Sequence, residues 1–390
     1  MEKKTLKQVF PNTKIDVTSK MLRENRNLAI LNGYAPIDYI TKLNIEWPFA
    51  SITYCPLSDL HAGNVNARID LFDKWIKFME TTYNAVTILN GDIFDYPTQT
   101  SISNTHDEVL PPEDVIEQLY KKLLPLAKQG KILAITPGNH DSKNSKRGVD
   151  TNVSVLKSLA QKLNVPFIEH NVVAEFHMPI EAGNEKFTYT IAAMHGAGKA
   201  GGVAGALDAG KQQMDRVFKI YQNKIDLFDF GHFHQGGNLY YRYEMPEKDK
   251  NNRTIRTTSE ESVFLSNYSF QDNSDYAAEA NFGPAEVNSW IVFVKPEPNV
   301  YYKSNIHENN KFVAKHNIFK MFTPSGNLAL PSQLLNQKYF DKSLEIENAL
   351  SLKYANTKAS SVLATAEQQG GLGKWVKHQI HIHLKKRKSL

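Results

Sequence analysis

Pro137-Gly138-Asn139-His140-Asp141-Ser142-Lys143 is the stretch on which the reading of this chain turns. It follows the apolar run Lys131–Ile135 and sets an amide, an imidazole and a carboxylate side by side after a Pro-Gly turn. Four more polar clusters end apolar runs in the same way: Asp59-Leu60-His61, Gly91-Asp92, His195-Gly196 and Gly231-His232-Phe233-His234. The runs that lead into them, Phe49–Leu57, Ala85–Leu89, Phe187–Ala193 and Ile225–Phe230, predict buried strands.

Helical spacing fills the intervals. Leu71, Phe72, Trp75, Ile76, Met79 and Tyr83 recur at three and four residues and predict an amphipathic helix. Pro112, Glu113 and Asp114 open a second helix, with proline in the first turn and acids at the positive dipole end. Residues 153–163 predict a third, whereas the glycine-rich stretch 196–210 reads as a loop before a helix near Val217–Tyr221. Alternating strands and helices make this an α/β chain, in which functional groups gather beyond the carboxyl ends of the strands. Successive clusters lie 33, 47, 56 and 37 residues apart, the length of strand–helix–strand units, so all five can meet.

The donors suit two divalent ions. Two such ions about 3.5–4 Å apart hold a phosphoester, activate a water between them and neutralise developing charge. Asp92 is the candidate bridging carboxylate, while Asp59 and His61 would grip one metal together. Asn139 offers a neutral oxygen, His195 an imidazole, and His232 and His234, separated by one residue, would face different metals. Nitrogen and oxygen donors without thiolate favour manganese, iron, zinc, nickel or cobalt over calcium or structural zinc, and manganese is the expected metal. His140, beside Asn139, would protonate the leaving oxygen, and Asp141 would orient His140 or a metal ligand.

This ordered set closely resembles the calcineurin-like metallophosphoesterase superfamily over roughly residues 48–305. The resemblance implies a four-layer α/β/β/α sandwich. It implies that Asp59, His61, Asp92 and His234 bind the first metal and that Asp92, Asn139, His195 and His232 bind the second. Leu57–Gly63, the glycines after His195, Gly231–Gln235 and Ser266–Phe270 are similar to the bacteriophage-type members. Gly91-Asp92-Ile93-Phe94-Asp95 also looks like the double-strand-break repair nucleases, which often carry histidine where this chain has Asp95.

The expected organisation is an N-terminal extension over 1–47, a catalytic domain over 48–305 and a C-terminal extension over 306–390. The last packs on the catalytic domain or on a second subunit, which leaves a homo-oligomer open. A net charge of +5 belongs to the tail: the last twenty residues hold Lys374, Lys377, Lys385, Lys386, Arg387 and Lys388, and without these six, 40 basic residues face 41 acidic ones. Such a tail suits nucleic acid as a partner. Lys199 and Arg147 are candidate phosphate contacts in loops that follow clusters. One cysteine, Cys55, excludes an intrachain disulfide, and no apolar run reaches the roughly 18 residues of a membrane helix. A cytoplasmic protein without a membrane partner is expected, in the host cytoplasm if phage-encoded. The function expected is hydrolysis of phosphodiesters, in nucleic acid first. The alternatives are a phosphatase or phosphodiesterase for a small nucleotide, lipid or phosphoprotein, and a non-catalytic scaffold.

Overall fold

The computed structural model describes residues 39–95, 109–141, 155–180, 186–198, 202–221, 223–248, 251, 253–272, 286–298 and 312–329. Two sheets dominate them. The first is ordered β11-β10-β2-β3-β4, with β2 Ile52–Tyr54, β3 Ala85–Asn90, β4 Ile132–Thr136, β10 Trp290–Pro298 and β11 Phe312–Lys320. The second is ordered β1-β5-β6-β7-β9-β8, with β1 Ile40–Glu46, β5 Asn171–Pro179, β6 Lys186–Met194, β7 Leu227–Phe230, β8 Gly237–Lys248 and β9 Thr254–Ser266. Both are mixed: β2, β3 and β4 run parallel, as do β6, β7 and β9, while antiparallel β10, β11, β5 and β8 complete them.

Three apolar cores order the layers. Tyr54, Val86, Ile88 and Leu133 from one sheet meet Phe176, Tyr189, Ile191, Leu227 and Leu265 from the other. Helices α1 Ile69–Thr81, α2 Pro112–Lys128 and α3 Val155–Leu163 bury Trp75, Leu119, Leu123 and Leu159 with Leu57, Leu89 and Ile135. Helix α4, Gly202–Tyr221, sets Met214 and Val217 against Phe228, Phe230 and Phe264 on the far side of the second sheet. The fold is therefore α/β, and no helix among the described residues is long and apolar enough to cross a membrane.

Several local outcomes differ from the sequence reading. β2 is short because Pro56 has no N–H to donate, and the chain regains only an isolated bridge between Leu57 and Leu89. α1 ends at Thr81, before Tyr83, where buried Lys131 donates to the carbonyls of Met79, Glu80 and Thr82 and caps the helix. α4 starts at Gly202, so most of the expected glycine loop is helix. Gly210 there faces the Phe230 ring, 3.2 Å from where a Cβ would stand, which lets the helix lie close on β7. β1 precedes residue 48 and pairs with β5, and β11 follows residue 305 and pairs with β10.

The sheets are also joined by polar groups. Asp229 on β7 accepts from Tyr54 Oη of β2 at 2.5 Å and from Asn267 Nδ2 at 2.5 Å. Burial pushes its pKa from 3.8 up to about 7, although both hydrogen bonds favour the ionised form. Folding thus favours the protonated acid; that stabilisation is complete below pH of about 4 and is lost as pH rises through 7. Asp229→Asn, shaped like the protonated acid, should gain urea stability relative to the natural protein as pH is raised from 4 to 7. A difference between the two midpoints that does not change with pH would contradict this assignment.

Candidate metal centre

All seven metal-ligand candidates lie beyond the carboxyl ends of parallel strands, and they come from both sheets. Asp59 and His61 follow β2, Asp92 follows β3 and Asn139 follows β4, whereas His195 follows β6 and His232 and His234 follow β7. Asp59, His61 and His234 form one group of donors, and Asp92, His195 and His232 form another. Each group draws on both sheets.

The backbone at these positions is unusual. Among the described non-glycine residues, six have a positive φ, and five of them are Asp59, His61, Asp92, His232 and His234. A left-handed residue costs on the order of 1–3 kcal/mol and persists where its surroundings over-determine it. Here the surroundings do: Asp59 N–H donates to Gly91 O, His61 N–H to Asp92 O, and Phe270 N–H to Asp59 O. His232 N–H donates to the Asp59 carboxylate at 2.9 Å. The turned backbone brings neighbouring donors inward together.

The donor atoms face one another in a way that calls for cations. His195 Nδ1–H donates to Asn90 O at 2.8 Å, so in the neutral ring Nε2 carries a lone pair, and it lies 3.0 Å from Asp92 Oδ2 and 3.2 Å from Asn139 Oδ1. His232 Nε2–H donates to Gly198 O at 2.7 Å, and its Nδ1 sits 2.6 Å from the same Asn139 oxygen. His61 Nε2 and His234 Nε2 are 3.1 Å apart, with Asp59 Oδ1 3.2 Å from the latter. Lone pairs aimed at lone pairs repel unless a proton or a metal ion stands between them. The ionisation pattern agrees. Burial opposes charge on His195, but the Asp92 carboxylate outweighs it and carries the imidazole up to about 10. Asp92 is held well below the usual carboxylate range, the His195 charge overriding burial. The centre is built to hold positive charge next to Asp92, and these residues fit divalent metal.

His140 stands beside the centre, its N–H donating to Asp92 Oδ1 at 2.7 Å. Its Nδ1 is 2.8 Å from Asp95 Oδ1, so Asp95 orients this ring. Asp141 acts on the backbone: Oδ2 accepts from Gly138 N–H at 2.9 Å and Oδ1 from Phe94 N–H at 3.2 Å, tying the Asn139 loop to the Asp92 loop. Burial, then the nearby Asp92 charge, pushes Asp141 up to about 6. Lys199 and Arg147 lie outside the described residues.

Two residues essential to this geometry escaped the sequence reading. Asn90 Nδ2 donates to Met194 O and Asp229 O at 3.0 and 3.1 Å, while its Oδ1 accepts from Thr136 Oγ1 at 3.1 Å. The ends of β3, β4, β6 and β7 are joined through this one amide. Asp95 is marked in the sequence only by its place, a second carboxylate three residues after Asp92.

Residues 57–236 match the family model of the calcineurin-like phosphoesterases, which supports the metallophosphoesterase superfamily for this chain. Together with the donor groups, the match indicates a metal-dependent phosphoesterase. No curated protein matches the chain. Among solved structures, it is similar to "GAP50 the anchor in the inner membrane complex of Plasmodium" at 10% identity and a TM-score of 0.32, over 77% of this chain and 95% of that one.

Two substitutions probe the centre. A Cβ on Gly138 would stand 2.1 Å from Asp92 Oδ1 and 2.3 Å from the Asp92 backbone nitrogen, so Gly138→Ala should displace the Asp92 loop and weaken divalent-metal binding at least about tenfold by calorimetry. Asn90→Ala removes three hydrogen bonds and should lower the unfolding free energy by about 2–4 kcal/mol in urea titration. A loss under about 0.5 kcal/mol would show that the sheets register without it.

Proposed function

We propose that the protein hydrolyses phosphodiester bonds at a dinuclear centre, with nucleic acid as the first substrate class. The observation that carries the reading is the pair of donor groups, each one carboxylate and two imidazoles, with His140 oriented by Asp95 at their side. Asp59, His61, Asp92 and His234 would hold one ion, and Asp92, Asn139, His195 and His232 the other, with manganese as the first metal to try. When bound, the two ions supply Lewis acidity and an activated water for attack on phosphorus. The protein's own residues do the rest. Asp95 engages His140 Nδ1, so the proton passes from Nε2 to the leaving oxygen as the phosphorus–oxygen bond breaks. Asp141 keeps the Asn139 and Asp92 loops together while this happens.

The basic residues Lys374–Lys388 support nucleic acid, as does the resemblance to the metallophosphoesterase superfamily. The buried thiol of Cys55 suits a reducing cytoplasm. A specific observation favours the second reading, a small phosphoester. Val65 and Val109 are 58% and 57% exposed, and Val109 N–H donates to Gly63 O two residues after His61. Exposed apolar side chains on the turn after His61 and on the segment bonded to it suit an aryl or nucleoside leaving group more than a phosphate backbone.

Manganese-loaded protein, offered single- and double-stranded DNA, RNA, cyclic dinucleotides and p-nitrophenyl esters, should cleave the polymers. Turnover of small esters alone would transfer the assignment to the second reading. His140→Ala should lower kcat by about 10²–10⁴ while bound metal stays near two equivalents. Deleting residues 374–390 should weaken DNA binding and flatten its dependence on salt; an unchanged salt slope would remove the tail from the argument.

A further inference from the structure

We propose that Asp95, pinned by Asn64, positions the first-metal ligand His61 as well as His140, so that one carboxylate serves both the metal site and the proton donor. The inference rests on the metal-centre reading above. Asp95 is 4% exposed, and its N–H donates to Ala62 O at 3.2 Å. Its Oδ2 accepts from Asn64 Nδ2 at 2.8 Å. Asn64 is itself locked in the turn after His61: its N–H donates to His61 O at 3.1 Å, and its Oδ1 accepts from Asn66 N–H at 2.9 Å. The amide thereby turns the other carboxylate oxygen toward two imidazoles. His140 Nδ1 lies 2.8 Å from that Oδ1 and His61 Nδ1 lies 3.9 Å from it. The two rings stand edge to face, 4.8 Å between centroids.

His61 Nδ1 is the informative atom. The residue is 2% exposed, and Nδ1 is buried with no hydrogen-bond partner among the described residues. The opposite nitrogen, Nε2, faces His234 Nε2. A neutral imidazole that gives Nε2 to a cation must carry its proton on Nδ1, and a buried N–H seeks an acceptor. Asp95 Oδ1 is the carboxylate oxygen at that end of the ring. Closing the 3.9 Å gap by about 1 Å would complete a carboxylate–histidine–metal line and fix the ring's tautomer and orientation. Asp95 would then be a positioning residue for two partners.

The test uses the full chain, stripped of metal by chelation and titrated with Mn(II) by calorimetry, with thermal unfolding of the metal-free protein alongside. Asp95→Asn should weaken one of the two binding steps by about 10–100-fold and leave the metal-free Tm unchanged. His140→Ala should bind both ions within about twofold of the natural protein. The visible spectrum of Co(II)-loaded Asp95→Asn should also differ from that of the natural protein, because His61 then coordinates in a different orientation. Wild-type affinity for both ions in Asp95→Asn would overturn the inference and confine Asp95 to His140. Should that variant not fold, Asn64→Ser, which loosens the carboxylate without removing it, should show a smaller loss in the same step; unchanged affinity there overturns the inference equally. A natural protein that takes up no divalent ion would instead sink the metal-centre reading beneath it.

Discussion

The side chain of Asn90 is the joint on which the rest of the site depends. Two of the donor groups take candidate ligands from both sheets, so a slip of one sheet against the other would separate Asp59 and His61 from His234, and Asp92 from His195 and His232. Apolar packing between the sheets is strong but non-directional, and it tolerates small translations. Directional bonds are needed to fix the register to tenths of an ångström. Asn90 supplies three at the level of the donors, and Tyr54 to Asp229 adds another one layer below. These amide, hydroxyl and carboxyl groups are buried yet satisfied, which makes them compatible with the core.

The same region concentrates strain and close approach. Five candidate ligand positions adopt left-handed backbone, and the chain comes so near itself that a methyl group on Gly91 would overlap the His195 ring at 2.5 Å. The helices and cores on either side are ordinary by comparison. Trp75, Leu119 and Leu123 bury one face of the molecule, and Met214, Phe228 and Phe264 bury the other. Their packing stabilises the fold and so offsets the cost of turned backbones and crowded donors that would not be stable alone.

Much was legible in advance because it is local. The periodicity of Leu71, Phe72, Trp75, Ile76 and Met79 marks a helix whatever lies around it, and an apolar run that stops at Asp or His marks a strand end with donors. The misses have non-local causes. The start of α4 was hidden because Gly202, Gly205 and Gly210 read as loop, yet Gly210 is small to fit Phe230. β8 and β9 form a long hairpin at the sheet edge that mixes charged residues with Tyr240, Tyr241 and Tyr243, so its apolar alternation is weak. β1 finds its place only by pairing with β5, some 130 residues later.

By itself, then, the sequence determined the chemistry at hand: seven nitrogen and oxygen donors at strand ends, a histidine beside them, and the order in which they occur. The tertiary structure decided how those donors are divided. His232 and His234, two residues apart, go to different groups, and His140 is oriented by Asp95 rather than by its neighbour Asp141. Residue type and spacing are properties of the chain, but the direction of a side chain is not. It depends on a left-handed φ held by remote hydrogen bonds and on the register between two sheets, and both exist only once the sheets have met.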